Sequence, residues 1–141
     1  VVFVWDPATR RTTFAASPWP ADQLVAAALS DAGEVVGFGP DRYFIFDVAA
    51  RTFAVHPFAL GPVSGGTFLA DGQFYGVTDR ELFALDVAAA TTRILGPANG
   101  IHHLERWSDT ELLGDADGTR VVKIDVARLA ETPPAQGKDQ T

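Results

Sequence analysis

Phe44-Ile45-Phe46-Asp47 recurs as Phe83-Ala84-Leu85-Asp86 and again as Val122-Lys123-Ile124-Asp125, with Phe3-Val4-Trp5-Asp6 ahead of them as an earlier copy. The last three aspartates stand 39 residues apart (47 to 86, 86 to 125), and Asp6 lies 41 residues before Asp47. A second marker moves with the first. Gly37, Gly76 and Gly114 precede their aspartates by 10, 10 and 11 residues, in Glu34-Val35-Val36-Gly37, Gln73-Phe74-Tyr75-Gly76 and Glu111-Leu112-Leu113-Gly114. Before each glycine motif comes a polar turn: Ser30-Asp31-Ala32-Gly33, Ala70-Asp71-Gly72 or Ser108-Asp109-Thr110. Two markers drifting together by at most one residue identify an internal repeat with a period near 40.

Each repeat divides into four short strands. In the clearest copy they cover 67–70, 74–77, 82–86 and 92–95, joined at Asp71-Gly72, 78–81 and 87–91. Asp-Gly between apolar runs signals a hairpin, because glycine accepts the positive φ of a tight reversal. The third strand, Leu82-Phe83-Ala84-Leu85, is apolar at every position rather than alternating, as a strand buried on both faces requires. Four strands per forty residues, stacked face to face, is the blade of a β-propeller, so the expected fold is all-β, with blades of four antiparallel strands. Asp6, Asp47, Asp86 and Asp125 each open the turn to the outermost strand, where a carboxylate accepts hydrogen bonds from the next backbone amides. These four, with Gly37, Gly76 and Gly114, are read as structural. A β-branched residue at Gly76 is expected to destabilise its blade.

The stretch from Asp71 to Asp86, followed by Thr91, resembles the blades of quinoprotein-type bacterial propellers. The runs from Val2 to Thr9 and from Asp117 to Asp125 look like WD-repeat blade endings. The resemblance extends to about Ala130 and is one of blades rather than of a single family. The Gly-His pair of WD repeats and the tryptophan docking positions of quinoprotein blades are both absent. What it implies is therefore the frame and not an activity.

Counting strands gives about three and a half blades, with blade ends near 16, 57, 96 and 131 and a fourth strand of the last blade expected around 127–131. Residues 1–131 are thus read as a partial propeller and 132–141, polar and bearing Pro133 and Pro134, as a flexible tail. An arc of this size leaves strand edges and blade faces open. The missing blades are expected from a longer parent chain or from a second copy. The chain holds no methionine and opens inside a strand, which favours the C-terminal part of a larger propeller protein.

A net charge of −7, with only Arg10 and Arg11 adjacent among the basic residues, argues against a nucleic-acid partner. No apolar run approaches the length that spans a membrane. The absence of cysteine excludes disulfides, zinc thiolates and thiol nucleophiles. Wealth in alanine, glycine, aspartate and arginine points to a bacterial source, and a secreted or periplasmic setting is the expected one.

Function on such a frame lies in loops. The candidate ligand-binding rim is drawn from Trp19, in the connection 17–23, and from His102, His103, Glu105 and Trp107, after the connection 96–101. Imidazoles serve as acid, base or metal ligand. Adjacent strand residues point to opposite faces, however, so His102 and His103 are not expected to chelate one ion. Glu105 and Asp109 lie about 13 Å apart along an extended strand, too far for a glycosidase pair. Trp19 and Trp107 offer surfaces for a sugar or an aromatic ligand, or anchors for packing. No catalytic residue, metal site or cofactor is assigned. The expected function is a non-catalytic scaffold binding a protein or carbohydrate through rim loops. The alternative is the C-terminal portion of a propeller enzyme, a sugar-acting hydrolase or lyase or a quinone-dependent oxidoreductase.

Overall fold

The computed structural model describes residues 1–19 and 24–131. The chain runs β1 (Val2–Asp6), β2 (Arg11–Ala16), β3 (Ala26–Leu29), β4 (Glu34–Phe38), β5 (Arg42–Asp47), β6 (Thr52–Pro57), β7 (Val63–Phe68), β8 (Phe74–Thr78), β9 (Glu81–Asp86), β10 (Thr91–Pro97), β11 (Ile101–Arg106), β12 (Glu111–Ala116) and β13 (Arg120–Asp125), then the short helix α1 (Val126–Glu131). Consecutive strands pair antiparallel into four sheets: β1-β2, β3-β4-β5-β6, β7-β8-β9-β10 and β11-β12-β13. Each sheet is a blade. The second and third are complete, the first consists of its third and fourth strands, and the last of its first three.

The last blade departs from expectation at its end. Instead of a fourth strand around 127–131, the chain winds into α1 directly after Asp125. Ala127, Arg128 and Leu129 are good helix formers, and the Asp125 Oδ1 accepts from the Ala127 amide at 3.0 Å, which satisfies a donor at the helix start. In the earlier copies the same carboxylate closes a turn. Asp6 accepts from Ala8, Asp47 from Ala50 and Asp86 from Ala89, at 2.9, 2.9 and 3.2 Å. The fourth residue after each of these three adopts a left-handed backbone: Arg10, Arg51 and Ala90, with φ of 56°, 60° and 54°. None of the three is glycine, so each turn holds some strain.

Successive sheets stack, and their middle strands alternate between two cores. On β5, Phe44 and Phe46 pack back toward the first blade, against Trp19, Val4 and Phe14, while Tyr43 and Ile45 pack forward against the third. On β9, Phe83 and Leu85 pack back while Leu82 and Ala84 pack forward against Leu104 and Leu112 of the fourth. The middle four residues of both strands are buried, which is why they read as unbroken apolar runs. Rings dominate the core between second and third blades: Phe38 lies 5.1 Å from Phe58 and 5.2 Å from Phe74 between centroids.

The repeated glycines owe their place to these rings. Gly37 pairs across the ladder with Phe44, and Gly76 with Phe83. A Cβ on Gly37 would collide with the Phe44 ring, and one on Gly76 would fall 2.5 Å from Phe83 Cζ and 2.7 Å from Phe74 Cε1. Gly114 pairs with Val122 and faces only the branched ends of Ile101 and Leu104. A different glycine sets the spacing at the centre of the array. A Cβ on Gly65 of β7 would lie 3.2 Å from the His103 Cα and 3.3 Å from the His102 carbonyl oxygen of β11, so the two innermost strands approach almost backbone to backbone. Accordingly the strand expected over 67–70 begins earlier, at Val63, as β7, and the one expected over 92–95 continues to Pro97 as β10.

Candidate functional site

Antiparallel alternation divides the loops between two rims. The connections after β2, β6 and β10 share one rim with the turns after β4, β8 and β12. The opposite rim carries the turns after β1, β3, β5, β7, β9 and β11, together with α1.

The sequence candidates do not share a rim. β11 rises from one to the other, so His102 at its start and Trp107 just past its end are about 16 Å apart at 3.3 Å per residue. Trp19 lies at the His102 end but is buried, 7% exposed, with Phe44 edge-on at 5.4 Å and the Arg42 guanidinium 4.8 Å above its ring. It packs between the first two blades and, with Val2, Pro18, Leu24 and Phe44, lines a cavity of about 300 Å³. The rest of its connection, 20–23, lies outside the described residues, as does the tail 132–141.

His103 and Glu105 are two apart on β11 and share a face, where the imidazole Nε2 meets the Glu105 Oε1 at 3.3 Å. Both side chains are exposed, 56% and 69%. That face is the broad side of the fourth blade rather than a rim, because His103 pairs with Asp115 and Glu105 with Leu113. A bulge at His102 produces this arrangement. The register slips between Ile101 and His103, so Ile101 and Leu104 are both buried toward the third blade, although they stand an odd three positions apart. The displaced His102 turns back, its Nδ1 lying 3.2 Å from the Gly100 carbonyl oxygen. Among the described residues, no three His, Cys, Asp or Glu side chains stand in a metal-holding arrangement.

At the opposite rim, Arg106 binds two turns at once. Its Nη1 donates to both Asp31 carboxylate oxygens at 3.3 and 3.1 Å, and its Nη2 to Asp109 Oδ1 at 3.0 Å. The Asp31 bond, and next the Asp109 bond, raise the already high pKa of this guanidinium. The arginine of the fourth blade thereby ties down the inner turn of the second. Beside it Trp107 is 60% exposed. Its turn is held by the Trp107 amide donating to the Glu111 carbonyl at 3.0 Å and by the Ser108 hydroxyl donating to Glu111 Oε1 at 3.0 Å.

A cleft of about 510 Å³ opens on this rim between the third and fourth blades, with Asp71, Gln73, Tyr75, Arg93 and Asp109 among its wall residues and Val126 and Ala127 of α1 on its apolar side. The Tyr75 hydroxyl donates to Asp71 Oδ2. Burial, and then this bond, push the Tyr75 pKa well above its ordinary 10.0, while Arg93 opposes the shift. None of these residues was marked by the sequence as a site, because positions 71 to 109 meet only when neighbouring blades stack.

No protein-family model matches the chain, and no curated protein matches it. Solved structures do. Hydrazine synthase of Kuenenia stuttgartiensis superposes with a TM-score of 0.73 at 17% identity, over 90% of this chain and 40% of that one. The WD40 repeats of RRP9 give 0.67 at 14% identity, over 89% and 42%. The fold is that of a β-propeller. These likenesses concern the fold alone, and the chain spans about two fifths of the length of those two structures. A computationally designed protein, Ika4, is covered over 95% of its length by 78% of this chain, with a TM-score of 0.54 at 11% identity.

Proposed function

We propose that this chain is a segment of a larger propeller and serves as a non-catalytic scaffold that binds a protein or carbohydrate through the rim carrying Trp107. Support comes from one observation above all: an indole 60% exposed on a turn fixed by hydrogen bonds to Glu111, beside an arginine that pairs with Asp31 of the second blade. A tryptophan has only two side-chain torsions to order on binding, and such residues dominate binding energy at interfaces and stack on sugar rings. The alternative of a propeller enzyme gains no comparable support, since His103 and Glu105 lie on a blade face and His102 bends back to Gly100.

The test is a glycan array, together with photo-crosslinking in extracts of the source organism from a benzophenone side chain at the nearby exposed position 110, with Trp107 kept or changed to alanine. Binding on either arm that is lost in Trp107→Ala, with an unchanged melting temperature, supports the rim. Equal binding by wild type and Trp107→Ala refutes it.

A further inference from the structure

The blade faces change character along the array. The face turned toward the following blade carries Ala26 and Ala28 on the innermost strand of the second blade, and Gly65 and Thr67 in the third. These small residues allow the next innermost strand its close approach. On the third strand the same face carries Tyr43 and Ile45, then Leu82 and Ala84, all buried. In the fourth blade the equivalent positions hold His103 and Glu105, and Val121 and Lys123. Val121 is 71% exposed, and the Lys123 ammonium lies 3.8 Å from Glu111 Oε2. A neighbour placed as closely as β11 is to β7 would strike the His103 and Glu105 side chains.

The opposite end of the array is built the other way. By alignment on the repeated aspartates, Phe3 and Trp5 occupy the positions of Phe44 and Phe46, and of Phe83 and Leu85. Those four are buried against the preceding blade, with exposures of 1%, 1%, 0% and 0%, whereas Phe3 and Trp5 are 60% and 50% exposed. Among the described residues β1 also pairs only with β2, and no strand lies along the edge that in the complete blades holds two further strands.

We propose that the Phe3 and Trp5 face docks a further blade of the same propeller, apolar on its facing side and small-residued on its innermost strand, and that a second copy of this chain is not that partner. This rests on the reading of the chain as a propeller segment. A second copy in the same head-to-tail geometry would set Phe3 and Trp5 against His103, Glu105 and Lys123, stranding charges against two aromatic rings. A blade with the facing side of the second or third has small residues on its innermost strand and uncharged Tyr43 and Ile45, or Leu82 and Ala84, on its third. Exposed apolar surface of this kind marks an interaction site.

The test places a copy of residues 24–62, followed by a copy of residues 25–41, ahead of Val1, so that one whole blade and the two missing strands precede β1 in register. Trp107→Phe in the same chain leaves Trp5 as the exposed tryptophan, Trp19 being buried. The expected result is a monomer in which Trp5 emission shifts to the blue and its acrylamide quenching falls several-fold relative to the unextended chain. A folded extended chain with Trp5 still fully quenched overturns the docking and leaves the segment reading standing. An unextended chain that is already a dimer with Trp5 shielded overturns both. If the extension does not fold, the unextended chain decides. Phe3→Asp with Trp5→Asp leaves it monomeric with an unchanged melting temperature under this proposal, and dissociation of a dimer by that pair of changes refutes it.

Discussion

Gly76→Val places new atoms where the third blade has no room. The Cβ alone would lie 2.5 and 2.8 Å from two atoms of the Phe83 ring and 2.7 Å from Phe74 Cε1, against ordinary carbon contacts of about 3.5–4.0 Å. Both rings must therefore retreat by about 1 Å. Neither has space, since Phe74 and Phe83 are each 0% exposed and hemmed by Phe38, Phe58 and Phe68. Overpacking of this kind costs about 1–3 kcal/mol, and disturbing ring pairs adds about 0.5–1.5 kcal/mol. The strand preference of valine over glycine returns up to about 1 kcal/mol. The net expectation is a loss of about 2–3 kcal/mol, a large share of the about 5–15 kcal/mol by which domains are stable. With a urea m-value of about 2 kcal/mol per molar, the unfolding midpoint falls by about 1–1.5 M. Gly114→Val supplies the comparison, because its Cβ meets Ile101 Cγ2 at 3.1 Å and Leu104 Cδ2 at 3.5 Å, aliphatic ends that can rotate. Its loss should stay under about 1 kcal/mol. Equal midpoint shifts for the two variants, or no shift for Gly76→Val, would refute the argument that stacked rings keep the repeated glycine.

Two smaller effects follow from the turns and the tyrosines. Ala90→Gly relieves a left-handed alanine at φ 54° and should raise stability by about 0.5–1 kcal/mol, after allowing for the greater freedom of glycine in the unfolded chain; urea unfolding measures it. Tyr43 and Tyr75 are the only tyrosines, and burial raises the pKa of both above 10.0. A folded-state pKa above the unfolded one means that the unfolded chain releases its proton first as pH rises. The associated stability is thus fully present below pH 10.0 and declines above it. Tyrosinate absorbance should appear later in the folded than in the urea-unfolded protein, and Tyr75→Phe should flatten the alkaline loss of stability.

The repeat period, the turn aspartates and the doubly apolar third strands are all local signals, and from them the sequence alone determined that the chain is a stack of four-stranded blades. A run such as Leu82-Phe83-Ala84-Leu85 carries its own message, because burial on both faces leaves no polar position in it. The candidate site was less legible. His102, His103, Glu105 and Trp107 are neighbours in sequence, yet a strand separates its ends by its own length, so His102 and Trp107 reach different rims while His103 and Glu105 stand on the blade face between them. One bulged residue at His102 set which face Ile101 shares, a register choice made by packing against the third blade. Trp19 looked like a loop tryptophan until the first two blades closed on it. The end of the array was likewise decided in three dimensions. Asp125 opens a turn by its pattern, but here its carboxylate caps α1. The contrast between the aromatic face at Phe3 and Trp5 and the charged face at His103, Glu105 and Lys123 exists only once strands are paired, because pairing determines which alternate residues stand together on a side.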